Sequence, residues 1–316
     1  MNPLLRRAIS TLFFPLTVAT YIVSKKELRH LQPRGKLIKI DGRQIHAHVT
    51  GDGGPTIILE AGMGGTHLDW SFIQDGISKK NTVLSYDRAG YGWSEESARD
   101  LTVQQHVNTL RMLLQELRLK PPFVLVGHSY GGLMMREFAA TYPQDVASLI
   151  LIDAVHEDWY DTEQMTIARK TAIQKIQRVH KAGYYFADLG VPRLFKLHVG
   201  SKHLPKEILK ETKALGFQAK SYRTIYSELS HAEKSVKELQ KCPQIPEQIP
   251  ITVLSAGKQT DVWKQQQQKL AALHKNTEHF TVEDSFHAIP IHKPDAVIHT
   301  INTAVNLFRD QNKGAV

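Results

Sequence analysis

One cysteine in 316 residues, Cys242, leaves no partner for an intrachain disulfide and too few thiolates for a cysteine-based zinc site. Acidic residues are under-represented: 31 Asp and Glu face 40 Lys and Arg, a formal net charge of +9. A surplus of that sign favours contact with anionic surfaces such as lipid headgroups. It does not by itself mean nucleic acid, and none of the usual nucleic-acid-binding motifs occurs. Internal repeats are absent as well. What the chain does have is apolar material. At 41% hydrophobic and 22% charged it can fill a sizeable core, which excludes a disordered chain.

Between Arg7 and Lys25 lie 17 residues without a charge. As a helix they would span roughly 25 Å, short for a bilayer, and Ser10, Thr11, Pro15, Thr17 and Thr20 dilute them. Arg6 and Arg7 ahead of the run resemble a signal sequence or signal anchor, with no small-residue cleavage site after it. The reading adopted is a membrane anchor through residues 8–24, a transmembrane helix or uncleaved signal, with the rest of the chain cytoplasmic. The other reading is an amphipathic or docked helix on the folded part. Residues 1–36 then form an N-terminal segment and polar linker.

From residue 37 onward, short apolar runs alternate with helical periodicity. Leu37–Ile40 and Gln44–Val49 flank Asp41-Gly42 and read as a hairpin. Thr56–Glu60, Thr82–Tyr86, Phe123–Val126, Leu149–Ile152, Ile251–Leu254 and Glu278–Val282 read as further strands. Mostly continuous apolar runs bounded by turns are the mark of buried parallel strands. Helical patterns fall at Thr102–Leu119, Leu133–Tyr142, Val262–His274 and from Pro294 to about Phe308. The alternation predicts a parallel α/β sheet. One stretch breaks it. Residues 156–245 show only helical or irregular patterns, and hold 16 Lys and Arg against 10 Asp and Glu. Six of the nine net positive charges therefore lie there. A structureless loop of that length is implausible, so a helical cap over one end of the sheet is expected, between core segments 37–155 and 246–316.

The chemistry concentrates in Gly127-His128-Ser129-Tyr130-Gly131, placed after a strand and before a helix. Gly-x-Ser-x-Gly in that context is a nucleophile elbow, with a serine on a tight turn that side chains at the two glycine positions would obstruct. The helix that follows aims its N-terminus at the reacting atom. A serine needs a base. Among 16 histidines, His287 is singled out because it follows the last strand and precedes the last helix. His292 is a distant second, and His128 is read as structural, pointing away from the elbow. An oxyanion needs two N–H groups. Tyr130 would supply one and Met63, in Ala61-Gly62-Met63-Gly64-Gly65, the other.

Together the Gly-Met-Gly-Gly loop, Asp-Arg-Ala-Gly-Tyr-Gly-Trp-Ser at 87–94, Gly-His-Ser-Tyr-Gly-Gly at 127–132 and the C-terminal His287 resemble the α/β-hydrolase fold superfamily. The resemblance covers about residues 37–310. It implies a mostly parallel eight-stranded sheet with helices on both faces and a helical cap after the sixth strand. It also implies that the acid of a triad follows the seventh strand, three residues beyond a glycine. Thr260 holds that place here and Asp261 is one residue late. Some members use an acid closing the sixth strand, where Asp153 stands, and Asp153 is preferred, with Asp261 as the alternative. The competing reading of Asp261 is a cap for the helix from Val262. Asp87 resembles a residue that braces a turn. Epoxide hydrolases and haloalkane dehalogenases of this fold carry Asp where this chain has Ser129, which disfavours those activities.

The expectation is a serine hydrolase (a carboxylic ester hydrolase) that cleaves an ester-like acyl bond with Ser129, His287 and Asp153, without metal or cofactor. Its substrate would be a small acyl compound, lipid-like in one reading. The alternatives are a thioesterase or carbon–carbon bond hydrolase on the same triad, or a non-catalytic ligand receptor with this fold.

Overall fold

The computed structural model describes residues 2–97 and 101–313, with side chains described through Gln311. Eight strands form one sheet: β1 (Lys36–Ile40), β2 (Arg43–Thr50), β3 (Thr56–Glu60), β4 (Val83–Tyr86), β5 (Phe123–His128), β6 (Val146–Ile152), β7 (Ile251–Ala256) and β8 (Glu278–Val282). Their order is β1-β2-β4-β3-β5-β6-β7-β8. The hairpin β1–β2 is antiparallel and joins β4 antiparallel; every pairing from β4 to β8 is parallel. Strands β3, β4, β6 and β7 are buried along their whole length because helices cover both faces.

Two apolar clusters fill the two faces. One packs Trp70, Ile73 and Ile77, of the turn and helix α3 (Ser71–Ile77), with Val297, Ile301 and Val305 of the last helix. The other packs helices α4 (Val103–Glu116) and α5 (Gly131–Thr141) through Val107, Leu110, Leu114, Leu133 and Phe138. Each such Leu or Val contributes about 1.5–3 kcal/mol over leaving it exposed.

The N-terminal run departs from the expected single anchor. It forms two helices, α1 (Pro3–Leu12) and α2 (Phe14–Leu28), which meet at 94°. Pro15 explains the break: it has no N–H for a continuing helix and its ring clashes with the carbonyl four residues back. Among the described residues no single helix is long and apolar enough to cross a membrane, so the single transmembrane helix expected is not supported. Only as a bent pair do α1 and α2 match a span in length and composition. Neither has a buried residue, yet both touch the folded part. Arg6 Nη1 donates to Asp188 at 2.6 Å, and Arg193 donates to Glu27 at 2.8 Å and Ser24 at 2.9 Å.

Between β6 and β7 the chain is helical: α6 (Ile167–Phe186), α7 (Val191–Leu194), α8 (Lys206–Gly216) and α9 (Ala219–Leu239). Ala232, Val236 and Leu239 of α9 join the core cluster of α4 and α5. After β7 come α10 (Asp261–Ala271), then β8, α11 (Ile289–His292) and α12 (Pro294–Lys313).

Candidate active site

The carboxyl ends of the parallel strands converge, the usual place for a site in an open α/β sheet. Ser129 follows β5 at φ +54°, a left-handed backbone that non-glycine residues rarely adopt. Its N–H donates to Ile152 O at 3.1 Å, and its carbonyl accepts from Gly132 N–H and Val155 N–H, each at 3.0 Å. Those bonds hold the strained residue in place. A Cβ at Gly127 would lie 2.8 Å from Gly131 O, and one at Gly131 would lie 2.6 Å from Glu60 O. No side chain fits at either position, which is why the sequence spells glycine twice around the serine.

His287, in the loop after β8, accepts from Ser129 Oγ at Nε2, 2.8 Å away. Its Nδ1 lies 2.7 Å from Asp153 Oδ2. A carboxylate only accepts, so Nδ1 carries the proton and Nε2 presents a lone pair. Asp153 closes β6 and is fully buried. Ala256 N–H and Trp263 Nε1–H donate to its Oδ1, each at 3.0 Å, and Gln259 Nε2 to its Oδ2 at 2.8 Å. Burial pushes its pKa up, but the hydrogen bond and charge of His287 together with these donors hold it below the ordinary carboxylate value. The Trp263 ring meets His287 edge-on at 5.1 Å between centroids. Asp261 is exposed at the start of α10, whose N-cap is Thr260, accepting from Trp263 N–H. The capping role expected of Asp261 thus belongs to its neighbour, whose hydroxyl reaches back to the third helical N–H. The loop after β7 sends Asp153 a set of donors, not His287 a carboxylate.

His128 does not point away. It lines the cavity beside Ser129, and its Nε2–H donates to His287 O at 2.9 Å. Burial, then the neighbouring His287, lowers its pKa to about 3, so it stays neutral and positions the histidine loop. His292 instead meets the rings of His203 and Phe286 edge-on.

The loop with Met63 lies against the serine: a Cβ on Gly62 would come within 3.5 Å of Ser129 Oγ. Among the described residues neither Met63 N–H nor Tyr130 N–H has a backbone acceptor. Tyr130 N–H is free because the residue caps α5, whose first donors have no partner within the helix. The loop's carbonyls are held from behind. The Arg88 guanidinium donates to Ala61 O at 2.7 Å and Gly62 O at 2.8 Å, to Glu60 at 2.6 Å, and to Glu228 of α9 at 2.9 Å. Glu228 also accepts from Tyr91 Oη at 2.7 Å and sits 3.1 Å from His106. All of these side chains are buried. Burial raises the Glu228 pKa, but Arg88 and His106 outweigh it and bring it to about 2. This network was not singled out in the sequence, because Glu60, Arg88 and Glu228 are far apart along the chain.

A second buried cluster joins His46, His67 and Asp87. Asp87 accepts from His67 Nδ1, His67 N–H and Trp93 N–H, each at 2.9 Å, and lies 2.9 Å from His46 Nδ1. Bonds to the ring and main chain of His67 and to Trp93 N–H tie neighbouring segments to the carboxylate, so the cluster reads as a brace for the turn after β4.

The Ser129 end of this array opens into a cavity of about 700 Å³. Its walls are apolar side chains of the helical insertion, among them Val179, Phe186, Val191, Phe195, Leu197 and Ile225. Asp69 also lines it, and its Oδ1 has no hydrogen-bond partner among the described residues. Burial, then the charge of Asp87, pushes Asp69 up to about 7. The folded state therefore holds a proton that the unfolded chain loses near pH 4. Stability falls as pH rises from about 4 to about 7 and levels off above. Asp69→Asn should remove that slope: thermal melts should show the variant gaining on the parent between pH 5 and pH 8. A melting difference independent of pH would refute the shift.

The family model of the alpha/beta hydrolase fold matches residues 55–294, more than half of the chain. The chain belongs to this family. It is 35% identical over 119 residues to the uncharacterized protein YqjL of Bacillus subtilis, 37% of this chain and 47% of that protein. It is 26% identical over 212 residues to an AB hydrolase superfamily protein of Gibberella zeae, 63% and 62% of the two chains. The chain spans about half the length of the first curated relatives it matches. Among solved structures, the epoxide hydrolase CorEH is similar at TM-score 0.68 and 18% identity, covering 84% of this chain and 96% of its own. The enol-lactonase of Burkholderia xenovorans LB400 is similar at 0.63 and 18%, covering 86% and 100%. At such identity the likeness is one of fold.

Proposed function

We propose that this alpha/beta hydrolase is a serine hydrolase that cleaves ester-like acyl bonds. The observation that carries the reading is the relay Ser129 Oγ to His287 Nε2 at 2.8 Å, and His287 Nδ1 to Asp153 at 2.7 Å. Ser129 Oγ attacks the acyl carbonyl carbon while His287 Nε2 takes its proton. The oxygen that becomes negative lies between Met63 N–H and Tyr130 N–H, at the N-terminus of α5. His287 then returns the proton to the departing alcohol, leaving an acyl group on Ser129. Water, deprotonated by the same nitrogen, releases the acid. Asp153 stays ionised throughout and stabilises the imidazolium. The hydroxyl nucleophile also separates this chain from neighbours such as the epoxide hydrolase, whose fold alone it shares. The apolar cavity favours a hydrocarbon acyl chain over a polar one.

A fluorophosphonate probe should label the protein and fail to label Ser129→Ala. Within a series of p-nitrophenyl esters, kcat/KM should rise about threefold or fourfold per added methylene until the cavity is full. A folded protein that the probe leaves unlabelled would sink the reading, and a receptor with this fold would replace it.

A further inference from the structure

Part of the cavity wall continues onto the outer surface. Phe186, Phe195 and Leu197 line the cavity and are also exposed, Phe195 to 68%. Next to them on α7, Leu194 is 80% exposed. The same elements carry the N-terminal pair: α2 lies on the turn at Ala187–Leu189, and Thr20 approaches Gly190 so closely that a Cβ there would meet its hydroxyl at 2.6 Å. Leu12, Phe14, Tyr21 and Ile22 of the pair are exposed too. Apolar surface of this extent is uncommon on a soluble chain without a partner.

The charge around this face is mostly positive. Residues 167–206 hold nine Lys and Arg and one acid, Asp188, which Arg6 and Arg223 already neutralise. Residues 2–31 hold five Lys and Arg and one acid, Glu27, paired with Arg193. On the same helices and the turns that follow them, Arg7, Lys25, Lys26, Arg29, Arg178, Lys181, Lys196 and Lys202 are exposed. Exposed apolar side chains bordered by cations suit a lipid surface, with hydrocarbon below the headgroups and positive charge at their level. A bend of 94° lets both short helices lie along such a surface.

We propose that α1, α2 and the rim at α6–α7 dock on an anionic bilayer, so that the cavity mouth faces the lipid. The docking stands on surface chemistry alone; that it delivers a lipid-borne acyl ester to Ser129 rests on the serine hydrolase reading. The occupant is a membrane rather than a protein because the uncompensated charge is spread along the whole face rather than matched to one patch.

The test uses the full chain with vesicles of phosphatidylcholine alone or with about one-third phosphatidylglycerol. Partitioning should be at least about tenfold stronger on the anionic vesicles and weaken with added salt. Phe14→Ser with Ile22→Ser, and separately Lys25→Glu with Lys26→Glu, should each reduce it about tenfold or more. Fluorophosphonate labelling in buffer should be unchanged in both variants, which also shows that they are folded. Equal or negligible partitioning on the two vesicle types, with labelling intact, overturns the docking and leaves the hydrolase reading standing. Self-association in buffer that both variants abolish overturns it in favour of a protein interface. Vesicle binding as expected without labelling supports the docking and sinks the hydrolase reading instead.

Discussion

Ser129→Ala should lower kcat by on the order of 10⁴–10⁶ while leaving the melting temperature nearly unchanged. The size follows from what the hydroxyl does. It lies 2.8 Å from His287 Nε2 and can bond to an acyl carbon, and without it the base is left to activate water. The small effect on stability follows from the backbone. The turn is held by main-chain bonds of residue 129 and by the two glycines, none of which needs the hydroxyl. Alanine at φ +54° is strained no more than serine. Steady-state kinetics on the best p-nitrophenyl ester, with a melt of the same sample, checks both halves. Activity within a hundredfold of the parent would remove Ser129 from the mechanism.

The second large effect concerns the carboxylate. Asp153→Asn should cost on the order of 10⁴ in kcat, because an amide no longer fixes the histidine tautomer that leaves Nε2 bare. The asparagine also inherits surroundings built for an anion. Ala256 N–H, Trp263 Nε1–H and Gln259 Nε2–H all aim at the carboxylate, and an amide NH₂ there would face another donor. Asp261→Asn changes an exposed residue whose helix is capped by Thr260, so activity should stay within a fewfold. If the two variants traded places, the assignment of the acid would be wrong, while Ser129 and His287 would keep their roles.

Much of this arrangement was legible from local pattern. The eight strands announce themselves as apolar runs between turns, and each forms within three residues of where the pattern puts it. The turn at Ser129 was legible because its two glycines answer a steric demand that operates over five residues. What stayed hidden depends on pairs remote in sequence. Glu60 reads as the last residue of a strand and Glu228 as one polar residue of an amphipathic helix. Nothing local says that Arg88 lies between them. The donors to Asp153 from Gln259 and Trp263 are hidden for the same reason, and the loop was read for a carboxylate that it does not supply to His287. In the N-terminal run, charge count and length suit one helix, and Pro15 does more than dilute it. One imino acid in the middle was enough to turn a single helix into a bent pair.

The bond from Arg88 to Glu228 also limits how the molecule can be altered by recombination. Helical insertions at this point of the sheet are attractive cassettes for changing substrate choice, since they supply the cavity walls. Here, however, α9 carries the counter-charge of a guanidinium that holds the loop facing Ser129. A foreign insertion without an acid at the place of Glu228 would take one of the two carboxylates described on Arg88 and remove the carboxylate beside Tyr91 and His106. Losing one member of a buried ion pair costs about 3–5 kcal/mol, a large share of the stability of a typical domain. Chimaeras joined at the ends of β6 and β7 should therefore fold only when the incoming helices bring that carboxylate, or when Arg88 and Glu60 are exchanged along with them.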